Sequence, residues 1–250
     1  MFFLSLSYNN LVLDIPRPWQ FGFQDPATPI MEGLINVHHE VMYYVIFIAF
    51  FVGVVLFHTI NDFTLNPMKS VGLQIHAPVI EIVWTIIPFL ILVAIALPSF
   101  SLLYSMDEIF TPSFTAKIIG RQWYWTYEYS EVLPGMGTIS YDSYMITDDA
   151  LTRKDFRLLS VDNPLYVPVK EHVRFVITSS DVIHSWAVPS MGIKTDAIPG
   201  RLNQIFSYVK RSGDFYGQCS ELCGIGHAFM PIHVKARSFE DVVESLSKFS

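Results

Sequence analysis

Two long apolar runs followed by a train of short alternating ones divide the chain. Between Glu40 and Asp62, Val41 to Asn61 is an uncharged stretch of 21 residues rich in Val, Ile and Phe, with Tyr43 and Tyr44 at its start. About 20 apolar residues suffice to cross a bilayer as a helix, and tyrosine favours the boundary between lipid and water. A second run, Ile82 to Met106, carries no charge for 25 residues and stops at Asp107-Glu108. Pro88 loosens it, which a spanning helix tolerates where neighbours satisfy the freed carbonyl. The pattern predicts a transmembrane hairpin over 37–106, with helices at about 38–61 and 79–106, after an N-terminal segment 1–36. Two crossings put both ends of the chain on one side.

From Asp107 the period changes to two. His172 to Thr178 and Ile232 to Arg237 alternate apolar with polar positions, as half-buried antiparallel strands do. Turn signals at Pro134-Gly135, Asn163-Pro164, Pro199-Gly200 and Ser212-Gly213 separate the strands. Residues 107–250 therefore predict an all-β sandwich or barrel. On this alternation His172 and His233 belong to exposed strand faces. At the end, Ser238-Phe239-Glu240-Asp241 is a capping box ahead of Val242, Val243, Leu246 and Phe249 at helical spacing, a short amphipathic helix covering the domain.

Composition fits this division. Of 250 residues, 51% are hydrophobic and 16% charged, and the formal net charge is −7. That is too apolar for an ordinary soluble domain and long enough for a membrane part plus one domain of about 150 residues. The negative charge argues against nucleic acid and favours a basic partner. The first fifteen residues hold no Lys or Arg, so neither a basic secretory start nor an Arg-rich transit peptide is visible, while a short clipped leader stays open. Between the runs, Asp62 to Ala77 carries Asn66-Pro67 and a single basic residue, Lys69, so the positive-inside rule does not set the orientation. His38, His39, His58 and His76, at or near the run ends, read as interfacial. Glu81, near the start of the second run, is either an edge residue among headgroups or a proton-handling group facing protein.

The densest chemistry lies in Cys219-Ser220-Glu221-Leu222-Cys223-Gly224-Ile225-Gly226-His227-Ala228-Phe229-Met230, which holds both cysteines of the chain. Thiolate, imidazole and thioether form a soft ligand set that selects copper or zinc over magnesium or calcium, and the thioether tilts the choice to copper. A mononuclear blue-copper site uses one Cys, two His and a weak axial Met, so one thiolate here is surplus. The surplus makes sense if two coppers share both sulfurs, each metal needing one His and one weak donor. The loop supplies His227 and Met230. Outside it, His184 in Asp181-Val182-Ile183-His184-Ser185-Trp186 is the best remaining imidazole. A backbone carbonyl can supply the sixth donor, and Glu221 lies between the cysteines, its carboxylate free for a hard cation. On the residues alone, a disulfide, a zinc site or a core-filling methionine remain alternatives.

Together with Gly22-Phe23-Gln24-Asp25, Gln122-Trp123-Tyr124-Trp125, Asp142-Ser143-Tyr144-Met145, His184 to Pro189 and Pro199 to Gln204, the loop makes the chain resemble the subunit 2 family of mitochondrial cytochrome c oxidases, from about Trp19 to the C-terminus. The resemblance implies a two-helix transmembrane hairpin followed by an all-β cupredoxin-like Greek-key barrel. It implies a binuclear Cu(A) centre on His184, Cys219, the Glu221 carbonyl, Cys223, His227 and Met230, and a magnesium, shared with subunit 1, on the Glu221 side chain. By the same resemblance, Trp123 takes the electron from cytochrome c while Trp125 packs in the core. Asp162 and Asp181, with Glu128 and Asp142 as further candidates, meet the lysines of cytochrome c, and Glu81 opens a proton path to subunit 1. The segment Ser130 to Ser140 departs from acid-rich relatives in offering only Glu131, and Arg121 stands where relatives often carry histidine. The implied whole is a component of a proton-translocating oxidoreductase of the respiratory chain, with oxygen reduced in subunit 1. Its partners are subunits 1 and 3, accessory subunits and membrane lipid. Its place is the mitochondrial inner membrane, with both termini and the copper domain in the intermembrane space. A membrane-anchored copper carrier and a one-copper electron carrier are the rival readings.

Overall fold

The structure, a computed structural model, describes residues 12–65, 76–130 and 137–249. Most of the possible leader, Asn66-Pro67, Lys69, Glu131 and the Pro134-Gly135 turn lie outside the described residues. The chain divides into two units, one from Gly33 to Tyr104 and one formed by the residues on either side of it.

The first unit is made by all but the outer ends of two helices, α1 (Pro29–Leu65) and α2 (Pro78–Met106), whose residues Pro29–Glu32 and Ser105–Met106 belong to the second unit. At 1.5 Å of rise per residue each is longer than the ~30 Å of a bilayer core. Apolar side chains such as Phe47, Phe50, Leu90 and Leu92 stand exposed along them, as expected of helices whose solvent is lipid. Three hydroxyls are answered by donating to the carbonyl four residues back: Thr59 to Val55, Thr85 to Glu81 and Ser99 to Ile95, at 2.7–2.8 Å. Both Pro88 and Pro98 sit inside α2. Helix α1 starts at Pro29 rather than near 38, because the Thr28 hydroxyl accepts the Met31 amide at 3.1 Å and Pro29 fills the first helical position. His38, His39 and Glu40, which close the apolar run on this side, had hidden this start.

The second unit is the β domain. Its strands are β1 (Val12–Asp14), β2 (Phe114–Arg121), β3 (Tyr124–Ser130), β4 (Thr138–Ser143), β5 (Leu165–Pro168), β6 (His172–Ser179), β7 (His184–Val188), β8 (Ile193–Ala197), β9 (Asn203–Tyr208), β10 (Gly213–Gln218) and β11 (Pro231–Arg237). They form a five-stranded sheet β4-β3-β2-β6-β9, a four-stranded sheet β1-β10-β11-β5 and the hairpin β7-β8. The pairs β2/β6, β5/β11 and β1/β10 run parallel, so the chain crosses between sheets as a Greek key requires. Trp125, Tyr127, Phe175, Trp186 and Phe215 fill the space between the layers. Helix α3 (Phe239–Leu246) closes the domain: the Ser238 hydroxyl accepts the Asp241 amide at 3.3 Å, and Val242 and Leu246 are buried.

Two expectations need correction. His233 is 7% exposed, not solvent-facing. The face that alternation assigns to water is covered, since the Tyr216 ring stacks on the imidazole at 4.3 Å, Asp214 lies 3.6 Å away and Phe156 packs edge-on to Tyr216. His172 is half-buried, between Phe110 at 4.6 Å and Tyr208 at 5.2 Å. Sequence also missed β1, whose Asp14 pairs with Arg211 at 2.8 Å while Arg211 stacks over Phe215.

Candidate metal centre

His184 opens β7, and Cys219 follows the last residue of β10. The two strands come together because position 217 is glycine: a Cβ there would overlap the Ala187 carbonyl oxygen. The Ser220 amide then donates to Ser185 at 3.0 Å and fixes the loop on β7.

Donor atoms converge. The sulfurs of Cys219 and Cys223 are 4.0 Å apart. The Nδ1 of His184 is 4.0 Å from the Cys219 sulfur, and the Nδ1 of His227 is 3.6 Å from that of Cys223. The Met230 thioether lies 3.5 Å from Cys223, and the Glu221 carbonyl oxygen 3.4 Å from Cys219. Both cysteines are free, and their separation is about twice a disulfide bond.

Electrostatics describe what the cluster lacks. Burial works against a Cys219 thiolate, yet hydrogen bonds with His184, the backbone at Glu221 and Ser185, and His227 together prevail and hold the thiol below its ordinary value. Burial and the adjacent Cys219 sulfur push the Cys223 thiol up. For His184, burial opposes the charged form, but Cys219 and Asp181 raise its pKa overall. The first negative sulfur thus keeps the second protonated, and both ionise together only against positive charge set between them. Two soft sulfurs, two imidazoles, a thioether and a carbonyl fit copper, since a zinc site would give the thioether nothing to do.

Side chains around the cluster lock it. Asp181 accepts from the His184 Nε2 at 2.8 Å and from the Gln122 and Val182 amides at 2.6 Å each. Burial would raise its pKa, but these bonds prevail and lower it. The carbonyl of Cys223 accepts from the Gln122 side-chain amide at 2.8 Å and from the Trp123 indole N–H at 3.2 Å. The indole of Trp125, wholly buried, donates to the Met230 carbonyl at 3.2 Å. Gly226 lies flat against Trp123, where a Cβ would overlap the ring.

A family model described as "Cytochrome C oxidase subunit II, periplasmic domain" matches residues 114–237, and one described as the transmembrane domain of the same subunit matches 16–102. "Cytochrome c oxidase subunit 2" of Phytophthora megasperma is 55% identical over 230 residues, covering 92% of this chain and 86% of that protein. The chain belongs to the cytochrome c oxidase subunit 2 family. Membership makes it a component of an oxidoreductase complex of the respiratory chain. "Cytochrome c oxidase subunit 2, mitochondrial" of Glycine max is 53% identical over 91% of this chain and 58% of its own length. The crystal structure of the periplasmic domain of subunit II of cytochrome oxidase of Bradyrhizobium japonicum superposes with a TM-score of 0.50 at 42% identity, covering 57% of this chain and all of that one. The cupredoxin-like barrel expected of a subunit 2 is the β domain described above.

The remaining expected residues fall in different settings. Trp123 is half-buried beside the cluster, and Trp125 is core. Glu221 has an exposed side chain. Glu81 lies in the first turn of α2, where its carboxylate accepts the Ala77 amide at 3.3 Å. Glu128 pairs with Lys117 at 2.7 Å, so its charge is largely answered within the chain. Asp142 accepts the Thr126 hydroxyl at 2.7 Å. Exposed Asp162 accepts the Tyr144 and Asn163 amides. Arg121 donates to the Thr126 hydroxyl at 3.0 Å and to Ser180 at 3.3 Å, tying β3 and the turn after β6 to β2. The support given by Asp181 and Gln122 was missed. The i, i+3 spacing of Asp181 and His184 was its only sequence signal.

Proposed function

We propose that this chain holds two copper ions on His184, Cys219, the Glu221 carbonyl, Cys223, His227 and Met230, and takes single electrons from cytochrome c on their way to the haem-bearing subunit 1. A copper pair held by these residues would supply a one-electron relay. The chain's own residues hold the ligands still. Asp181 keeps the His184 ring turned so that Nδ1 meets the sulfurs, and Gln122 and Trp123 anchor the carbonyl of Cys223. Rigid ligands keep reorganisation small. Trp123, on the outer side of the same loop, is where the electron arrives, and exposed Asp162 and Asp181 draw in a lysine-rich partner. The Glu221 carboxylate binds magnesium shared with subunit 1, and Glu81 opens the proton path.

The observation that carries this reading is the gathering of two sulfurs, two imidazoles, a thioether and a carbonyl, each within 4.0 Å of a cysteine sulfur. A copper carrier would need exchangeable, exposed ligands, whereas Cys219 is 7% and Cys223 4% exposed. The mitochondrial name of the Glycine max relative supports a place in the inner membrane, with the β domain and both termini in the intermembrane space. Electron paramagnetic resonance on the purified oxidase tests the centre: one unpaired electron split by two copper nuclei is expected, and splitting by a single nucleus would remove the binuclear assignment.

A further inference from the structure

Away from the sulfur cluster, the β unit has a cavity of about 400 Å³. Pro29 and Ile30, the first residues of α1, and Ser105 and Met106, the last of α2, line one part of it. Because the second apolar run ends at Met106, this edge of the cavity lies where a spanning helix meets the lipid headgroups. The rest of the wall is aromatic: Phe110, His172, Tyr208 and Phe206, with Phe110 stacked on His172 at 4.6 Å.

Two polar groups in this wall have no partner among the described residues. Glu108 makes no ion pair among the described residues. Ser207 is 3% exposed, and among the described residues its hydroxyl has no hydrogen-bond partner. Aromatic faces and one unanswered carboxylate select a cation with a hydrocarbon surround, and a buried hydroxyl seeks an oxygen acceptor. A ligand carrying an ammonium group next to phosphate or ester oxygens, and present at headgroup depth, meets all of these requirements.

We propose that this cavity binds the headgroup of an amine-bearing zwitterionic phospholipid, of the choline or ethanolamine type. The ammonium sits by Glu108 and the rings, and Ser207 donates to a phosphate or ester oxygen. An anionic headgroup is disfavoured because it would face Glu108 with nothing positive to offer. The proposal rests on the membrane-spanning helices and is independent of the copper assignment.

The test uses the assembled oxidase in nanodiscs of phosphatidylcholine doped with phosphatidylcholine bearing a headgroup diazirine. After illumination, adducts are expected on peptides containing 105–110 or 206–208, and a diazirine-bearing phosphatidylglycerol should label them less. Glu108→Gln should lower labelling about fivefold, the loss expected for one partly exposed ion pair. Phe110→Ala should lower it as well. Copper content and turnover should stay unchanged in both variants, because neither residue touches the cluster. Equal labelling by the two lipids, labelling unaffected by Glu108→Gln, or no adducts would each overturn the proposal. A carbodiimide link from Glu108 to another subunit would also overturn it, by making the occupant a polypeptide.

Discussion

Asp181 was expected to present charge to a partner, and its carboxylate also turns inward to His184. The two roles separate by substitution. Asp181→Asn removes the charge but leaves an oxygen to accept from the imidazole, whereas Asp181→Ala removes both. Copper retention should fall about 10- to 100-fold in the alanine variant alone, measured by chelator competition. Both variants should slow association with cytochrome c at low salt and match the parent at high salt. At Gly226 the constraint is steric: Gly226→Ala should push the Trp123 ring aside and slow electron uptake from cytochrome c. Bound copper should change little, because none of the ligand atoms belongs to that residue. Stopped-flow reduction alongside metal analysis checks this. Cys219, Cys223, His227 and Met230 were legible because they are consecutive in one loop and chemically rare. His184 emerged by elimination, which assumed His233 to be exposed. That step reached a residue that lies 4.0 Å from the Cys219 sulfur, but by a partly wrong reason, since His233 is buried under Tyr216.

At the scale of elements, β10 and β11 are tied by a buried charge cluster in which Asp214 meets both His233 and Arg237. Burial depresses the His233 pKa despite Asp214. Between its folded value and the ordinary ~6.5, the unfolded chain binds the extra proton. Stability is therefore present above about pH 6.5 and lost as pH falls through the lower folded value. Asp214 shifts the same way: burial raises its pKa, but His233 and Arg237 lower it overall, so its contribution disappears only below the ordinary carboxylate range. Urea midpoints of the β domain should drop from pH 6.5 towards 5, and His233→Phe should flatten that slope. At the C-terminal helix, Ser238→Ala should cost about 1 kcal/mol by removing the cap on the Asp241 amide, read as a lowered urea midpoint. The spans and longer strands could be read from period alone, because each buries a repeating face. The early start of α1 could not, since His38, His39 and Glu40 cut off the apolar run before it and the start is set by the Thr28 cap. Nor could β1, three residues long, whose only reason to be extended is the edge of β10.

For the whole molecule, the assignment to the subunit 2 family joins two solvents in one chain: helices whose side chains face lipid and a barrel whose core excludes everything but a cluster of soft donors. The acidic groups at the barrel surface are unequal. Glu128 is answered by Lys117, while Asp162 keeps its charge at the surface with only amides as partners. Asp162→Asn should therefore slow low-salt association with cytochrome c more than Glu128→Gln does, and the difference should vanish within a few tenths molar salt as screening shortens to about 5 Å.

Strand β1 couples the beginning of the polypeptide to its last third. Val12 to Asp14 pair with Gly213 to Phe215, and between them in the chain lie both membrane spans. A ribosome therefore emits the edge strand long before the strand it must join exists, and loop closure over such a distance comes late. The barrel can complete this sheet only after both spanning helices and most of the β domain have been made. Closure of the barrel's edge is thus timed by the synthesis of its last third.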